Sequence, residues 1–297
     1  MWFGRLCSTV ENDVVGLVAD EVSGLGTVVG SGPHVSVSGL GTVAAQMLAS
    51  RAFVETIEQD GVRLMNTGLA DSADELLEDP AWHMAVCFSP WKEQVARVVP
   101  TLTPGAQLTG SVDTLIRTSD DTVGINTTGL AAAATLRKYY GSEPPEVVVL
   151  LGTGPSARTV AGAVRRLWGD AVDLTFGARS TDAGRRAADV FKGTALSPDE
   201  VARLNLPSAS ILVQATSWGE TAASEESGFA FDLTAVVSQF RMFIDLNVRR
   251  SRLSENALDA GVAVLSGVAM RRYNNECRAV LAKLLAFGEP TSAQECA

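Results

Sequence analysis

Residues 148–163, VVLLGTGPSARTVAGA, pass from an unbroken apolar stretch into Gly152-Thr153-Gly154-Pro155-Ser156-Ala157 and then into an Ala- and Val-rich segment with helical spacing. A buried strand that turns on glycines into a helix presents backbone N–H groups at the helix N-terminus, where a phosphate can approach them. The chemistry implied is nucleotide binding, with Gly152, Gly154, Pro155, Ser156 and Ala157 around the phosphates. A G-x-G-x-x-A turn alone is a weak signal, because glycines between a strand and a helix also serve close packing. The flanking elements strengthen it here. Folds that prefer NAD end their second strand on Asp or Glu, which accepts from the ribose 2′-hydroxyl. The stretch LTFGARSTDAGRR (174–186) has no acid at that point and offers Arg179-Ser180 instead. A guanidinium pairs with a 2′-phosphate and a neighbouring hydroxyl donates to it. NADP is therefore expected over NAD; the competing reading of Arg179 is a cation on a solvated loop.

These residues need a frame, and the hydrophobic pattern supplies one. From Pro144-Pro145 onward it predicts a strand at 146–151, a helix at 156–168, a strand at 171–177, a helix at 182–192 and strands at 210–214 and 242–246. Such alternation predicts a parallel sheet covered by helices. Upstream, residues 24–42 read as a strand flanked by glycine turns and 43–60 as a helix. Residues 82–99 read as a buried strand, a turn at Pro90 and a helix. The stretch TVGINTTGLAAAATLRKYYG reads as a strand, a Thr/Gly turn and an Ala-rich helix ending near Gly141. Residues 274–287 form a last helical pattern.

Composition sets the outer limits. The 297 residues are enough for two ordinary domains, and no apolar run reaches the length of a membrane span. The N-terminus, MWFGRLCSTVEND, carries an acid where a signal peptide would have its apolar core, so a cytoplasmic location is expected. Cys7, Cys87, Cys277 and Cys296 form no CxxC pair, and His34 and His83 are the only histidines, so no metal site is expected. A net charge of −10 argues against nucleic-acid and anionic-membrane partners.

Several segments together resemble the shikimate dehydrogenase family, in order and spacing. GTGPSA resembles its GAGGAA-type turn, GARS its NRT clamp, and VQATSWGE (213–220) its NATSVGM segment. FIDLNV (243–248) and AGVAVLSGVAM (260–270) resemble its later strand and its G…GxxML stretch. FSPWKEQV resembles TIPHKxxV, GSVDTLI resembles GAVNTLV, and GINTTGL resembles GxNTDGxG. The likeness runs from about residue 82 to 290. Before residue 80 it reduces to Ser36-Val37-Ser38, where the family binds a carboxylate.

The resemblance implies an α/β fold with a substrate domain at 1–129, a Rossmann-type NADP domain at 130–264 and C-terminal helices (265–297) returning to the first. It implies a hydride transfer with Lys92 as acid and base. It adds Ala215, Thr216, Ser217 and Gly267 to the cofactor residues, and Ser36, Ser38, Phe88, Asn126, Thr128 and Asn274 to the substrate residues. The family's Asp after the first Thr of NTDG is Thr128 here, whereas its Asn in GAVNT is Asp113. A carboxylate lost at 128 and regained at 113 makes Asp113 the expected partner of Lys92; coincidence is the alternative. Val86 and Phe88 replace two polar pocket residues of the family. A site that lacks partners for a substrate's hydroxyls has no reason to prefer it. The expected function is NADP-dependent oxidoreduction of a small hydroxy or carbonyl compound other than shikimate, cyclic compounds included, by a monomer or homodimer. The alternative is an NADP-binding protein that lost catalysis with the Asp.

Overall fold

The computed structural model describes residues 12–25, 32–59 and 61–288. Cys7, Cys296 and most of the MWFGRLCSTVEND stretch lie outside them, as do residues 26–31 of the first glycine-rich segment. The chain divides into two compact units, one of residues 1–134 with 272–297, the other of residues 135–271.

The first unit is built on six strands: β1 (His34–Leu40), β2 (Arg63–Ala70), β3 (Met84–Cys87), β4 (Thr101–Leu102), β5 (Thr114–Arg117) and β6 (Thr122–Ile125). Their order is β2-β1-β3-β5-β6-β4. β1 pairs in parallel with β2 and β3, while β5 runs antiparallel to β3 and β6. β1 and β3 are buried almost without interruption, as strands covered on both faces are. On one face, Leu40, Ala85 and Cys87 join Trp82, Leu76, Val95 and Leu115 in one core. The predicted helix over 43–60 is two helices, Ala44–Leu48 and Arg51–Glu58. Ser50 breaks it: its backbone is extended, and its side chain accepts from Phe53 N as a cap.

The second unit holds β7 (Val147–Leu151), β8 (Asp173–Gly177), β9 (Thr194–Leu196), β10 (Ile211–Gln214), β11 (Met242–Asp245) and β12 (Ala263–Ser266). All are parallel, in the order β12-β11-β10-β7-β8-β9. The chain thus winds outward from β7 in one direction and from β10 in the other, which is the Rossmann-type order. Its reversal lies between β7 and β10, and ligands in such sheets bind at the carboxyl ends of the strands flanking that point. The helix predicted from residue 274 begins at Gly267 and runs to Phe287. Only glycine fits its first position, since a Cβ there would lie 2.2 Å from the Leu246 carbonyl oxygen.

Trp82 is fully buried, donates from Nε1 to the Leu76 carbonyl at 2.7 Å, and lies under the Arg117 guanidinium. Trp82→Ala is expected to cost about 3–5 kcal/mol of stability through the cavity it leaves. Urea unfolding measures this, and a loss under about 1 kcal/mol would contradict the packing described.

Candidate active site

Asp113 precedes β5 and is buried, with 1 % exposure. Its backbone is pinned on both sides: its N–H donates to Ile125 O at 3.1 Å, and its carbonyl accepts from Cys87 N at 2.9 Å. The carboxylate faces the start of the helix Thr127–Tyr139. Oδ1 accepts from Thr127 N at 2.9 Å and Thr127 Oγ1 at 2.6 Å, and Oδ2 from Thr128 N at 2.8 Å. The Thr128 hydroxyl donates to Oδ2 as well. An anion held by the first N–H groups of a helix and two hydroxyls is well compensated for its burial.

Two cations flank it. Lys92 opens the helix Lys92–Val98, and its carbonyl accepts from Val112 N at 3.0 Å, tying that helix to the segment that carries Asp113. Lys92 Nζ stands 3.8 Å from Asp113 Oδ2, an ion pair rather than a direct hydrogen bond, and the lysine side chain keeps 26 % exposure. A cation in the first turn of a helix is disfavoured by the helix dipole, and the carboxylate offsets that cost. On the other side lies Arg278, from the helix Gly267–Phe287, with 1 % exposure. Its Nε donates to Thr114 Oγ1 at 3.0 Å, Nη2 donates to the Asp113 carbonyl at 3.2 Å, and Nη1 is buried without a hydrogen-bond partner. The same guanidinium lies over the half-buried Phe88 ring at 5.6 Å. Burial works to raise the Asp113 pKa, but the charges of Lys92 and Arg278 and the two threonine hydroxyls outweigh it and hold it below the ordinary carboxylate value. Burial beside this anion pushes the Cys87 thiol up to about 12 and raises Cys277 too, so both stay protonated and are poor nucleophiles.

The substrate residues expected from sequence divide into two groups. Asn274 lies within hydrogen-bond distance of both threonine hydroxyls, 2.6 Å from Thr127 Oγ1 and 3.1 Å from Thr128 Oγ1, so it joins the Asp113 cluster. Asn126 bonds to its own unit's backbone and side chains. Its Oδ1 accepts from Gly129 N at the helix start, and its Nδ2 donates to Thr109 Oγ1. Ser36 and Ser38 are buried in β1; Ser36 N donates to His83 Nδ1 and the Ser38 hydroxyl donates to Gly68 O. Burial and Arg117 lower the His83 pKa, which suits a ring nitrogen used as an acceptor. Val86 is fully buried in the core. Sequence reasoning missed Arg278 and Thr127. Arg278 follows Asn274 by four residues, the spacing that puts two side chains on one helix face.

In the second unit, Gly152 leaves β7 with φ +107°, a conformation that favours glycine, and a Cβ there would press on Thr216 and the Ala215 carbonyl. Gly154 is the N-cap of the helix Pro155–Trp168, with Pro155 in its first turn and no side chain capping its N–H groups. Ser156 is exposed and Ala157 buried against the sheet. Ala215, Thr216 and Ser217 follow β10 on the other side of the reversal, and Ala215 N donates to Leu151 O. Thr216 Oγ1 is held by the Gln214 amide. Arg179 is exposed and forms no ion pair among the described residues, and it lines a cavity of about 150 Å³ with Thr216, Ser217, Trp218 and Phe229. Ser180 caps the next helix, accepting from Ala183 N and leaving its own proton to donate. The Gly267 requirement is one of packing against Leu246. Arg249 and Arg252 pair with Glu225, and Arg250 with Glu255. Among the described residues no cluster could hold a metal ion, and no helix is long and apolar enough to cross a membrane.

No protein-family model matches the chain. It is 31 % identical over 144 residues to the shikimate dehydrogenase (NADP(+)) of Geobacter metallireducens, which covers 45 % of this chain and 50 % of that protein. The chain thus spans about half the length of this curated relative. Among solved structures it is similar to the shikimate 5-dehydrogenase of Thermus thermophilus in complex with NADP(H) and shikimate. The TM-score is 0.68 at 21 % identity, over 85 % of this chain and 93 % of that one. The ligand-free 5-ketofructose reductase of a Gluconobacter strain matches with TM-score 0.65 at 19 % identity, over 86 % and 93 %. In fold over most of its length, and in sequence over almost half of it, the chain is shikimate dehydrogenase-like.

Proposed function

We propose that the chain is an NADP-dependent oxidoreductase that moves a hydride between NADP(H) and a small hydroxy or carbonyl compound other than shikimate. The Lys92–Asp113 pair carries this reading: an ammonium 3.8 Å from a carboxylate whose own position is fixed by Thr127 and Thr128. Lys92 donates the Nζ proton to the carbonyl oxygen in reduction and takes it back in oxidation. Asp113 keeps that amine in place and compensates its charge. Asn274 offers an amide to substrate oxygens from the same cluster.

The second unit fits the cofactor. The uncapped helix N-terminus at Gly154 suits the pyrophosphate, and Arg179 with Ser180 suits the 2′-phosphate. NADPH bound there supplies the hydride. The shikimate dehydrogenase relative and the NADP(H) complex of similar fold support this assignment. The likeness to a 5-ketofructose reductase supports a substrate other than shikimate, as does the half-buried apolar ring of Phe88.

Arg179→Ala is expected to weaken NADP binding by roughly 1.5–3 kcal/mol and to leave NAD almost unchanged, since the lost contact is a hydrogen bond to a charged group. Titrating both cofactors against wild type and variant checks it; equal losses would refute the clamp. Shikimate should support no more than a trace of NADP reduction, and robust turnover would show that these pocket positions have been misassigned.

With a panel of cyclic ketones and hydroxyketones, Lys92→Ala should cut NADPH consumption by roughly 10²–10⁴-fold. Asp113→Asn should be nearly as damaging, because Thr128 cannot supply the missing charge. Adding Thr128→Asp to that variant should recover part of the rate. NADPH binding without turnover of any compound would favour the non-catalytic reading. Stability gives an independent check. The folded Asp113 pKa lies below its unfolded value of about 3.9, so the stability it contributes is complete above about pH 4 and is lost as pH falls through the folded value. Asp113→Asn should therefore be destabilised by about 1–3 kcal/mol at neutral pH, with the difference from wild type shrinking below about pH 4. A pH-independent difference would mean that the carboxylate charge is not what the cluster holds.

A further inference from the structure

The second unit contains another cavity, of about 360 Å³, that the proposed reaction leaves without a task. Its floor is the unit's own core, through Phe231, Leu233, Phe243 and Leu253. Trp218 and Phe229, with ring centroids 4.7 Å apart, form one wall, and Phe229 lies 5.4 Å from Phe231. An apolar hole of about 150 Å³ accepts a benzene ring, so this volume suits a ligand of two fused rings. It also falls in the range of about 300–1,000 Å³ typical of small-molecule sites.

The mouth decides the ligand's charge. Arg252 Nη2 donates to the Glu225 carbonyl, Arg252 N donates to Glu225 Oε1, and the guanidinium lies 5.8 Å from the Trp218 ring centroid. Glu255 stands 3.6 Å from Arg250, and Asp232 Oδ1 accepts from Thr234 N at 3.0 Å. Arg252 and Glu255 are paired within the chain and Asp232 faces water, so an ion gains little there. Asn256 differs. It lines the cavity, and its side-chain amide has no hydrogen-bond partner among the described residues. An asparagine amide offers a donor and an acceptor side by side, the arrangement that matches an adjacent acceptor and donor on the edge of a heteroaromatic ring.

We propose that this cavity is a second small-molecule site, taking an uncharged, flat, two-ring heteroaromatic compound that packs on Trp218 and Phe229 and bonds through its edge to Asn256. The site does not depend on the oxidoreductase reading. Trp218, Phe229 and Phe231 also line the cavity that holds Arg179, so a test must tell the two apart. The probe is 7-azaindole, a neutral bicycle with an N–H and a ring nitrogen on one edge, titrated calorimetrically into the full chain. Saturable binding at one site is expected. Asn256→Ala should weaken it at least fivefold, and Asn256→Trp, which fills the mouth from an exposed position, should abolish it. Arg179→Ala should leave it unchanged. Thermal melts establish that each variant is folded. No saturable binding to wild type, undiminished binding to folded Asn256→Trp, or loss of binding in Arg179→Ala would overturn the proposal.

Discussion

The buried Asp113 carboxylate is the constraint on which the first unit's arrangement depends. An ionised carboxylate out of water is tolerable only when it is both paired and hydrogen-bonded. Here Thr127 and Thr128 meet it with two backbone N–H groups and two hydroxyls, and Lys92 and Arg278 stand 3.8 and 4.0 Å away. Three helices are thereby tied to one anion: Lys92–Val98, Thr127–Tyr139 and Gly267–Phe287. The two cations outnumber it. The surplus positive charge, with Arg278 Nη1 still unpartnered, gives this corner of the unit a field suited to oxygen that gains negative charge during a reaction.

The second unit solves its problem without buried ion pairs at the glycine turn. What matters there is backbone direction: a glycine at φ +107° after β7, an uncapped helix start at Gly154, and a reversal of strand order that leaves the ends of β7 and β10 side by side. Only proline removes a backbone N–H, so such a turn tolerates wide sequence change as long as the glycines and the strand order persist.

The same contrast explains what could be read from the residues alone. The alternating pattern after Pro144 marked β7, β8, β10 and β11 within a residue or two, because buried parallel strands are continuous apolar runs. β9 and the helix Pro198–Val201 escaped it, being only three and four residues long with no period to detect. The break at Ser50 was hidden because the apolar spacing continues across it; only the capping geometry reveals it. Arg278 was unreadable for another reason. A lone arginine on an amphipathic helix is usually a solvated one, and its burial follows from Asp113, some 165 positions away.

Thr128 shows how far the chemistry of one residue depends on a distant one. Taken alone, a threonine where the family motif has an aspartate is a loss of charge and of a proton acceptor. In the fold its hydroxyl and N–H both point at Asp113 Oδ2, so it is a donor to a carboxylate that the motif does not have at 113. An aspartate at both positions would set two anions against each other at hydrogen-bond distance, and one would have to take up a proton. An aspartate at neither would leave Lys92 and Arg278 as two neighbouring cations with no counter-ion between them. Each single arrangement is consistent and each mixture is not. The two departures from the motif are therefore coupled by electrostatics, and the position of the carboxylate can change only when both residues change.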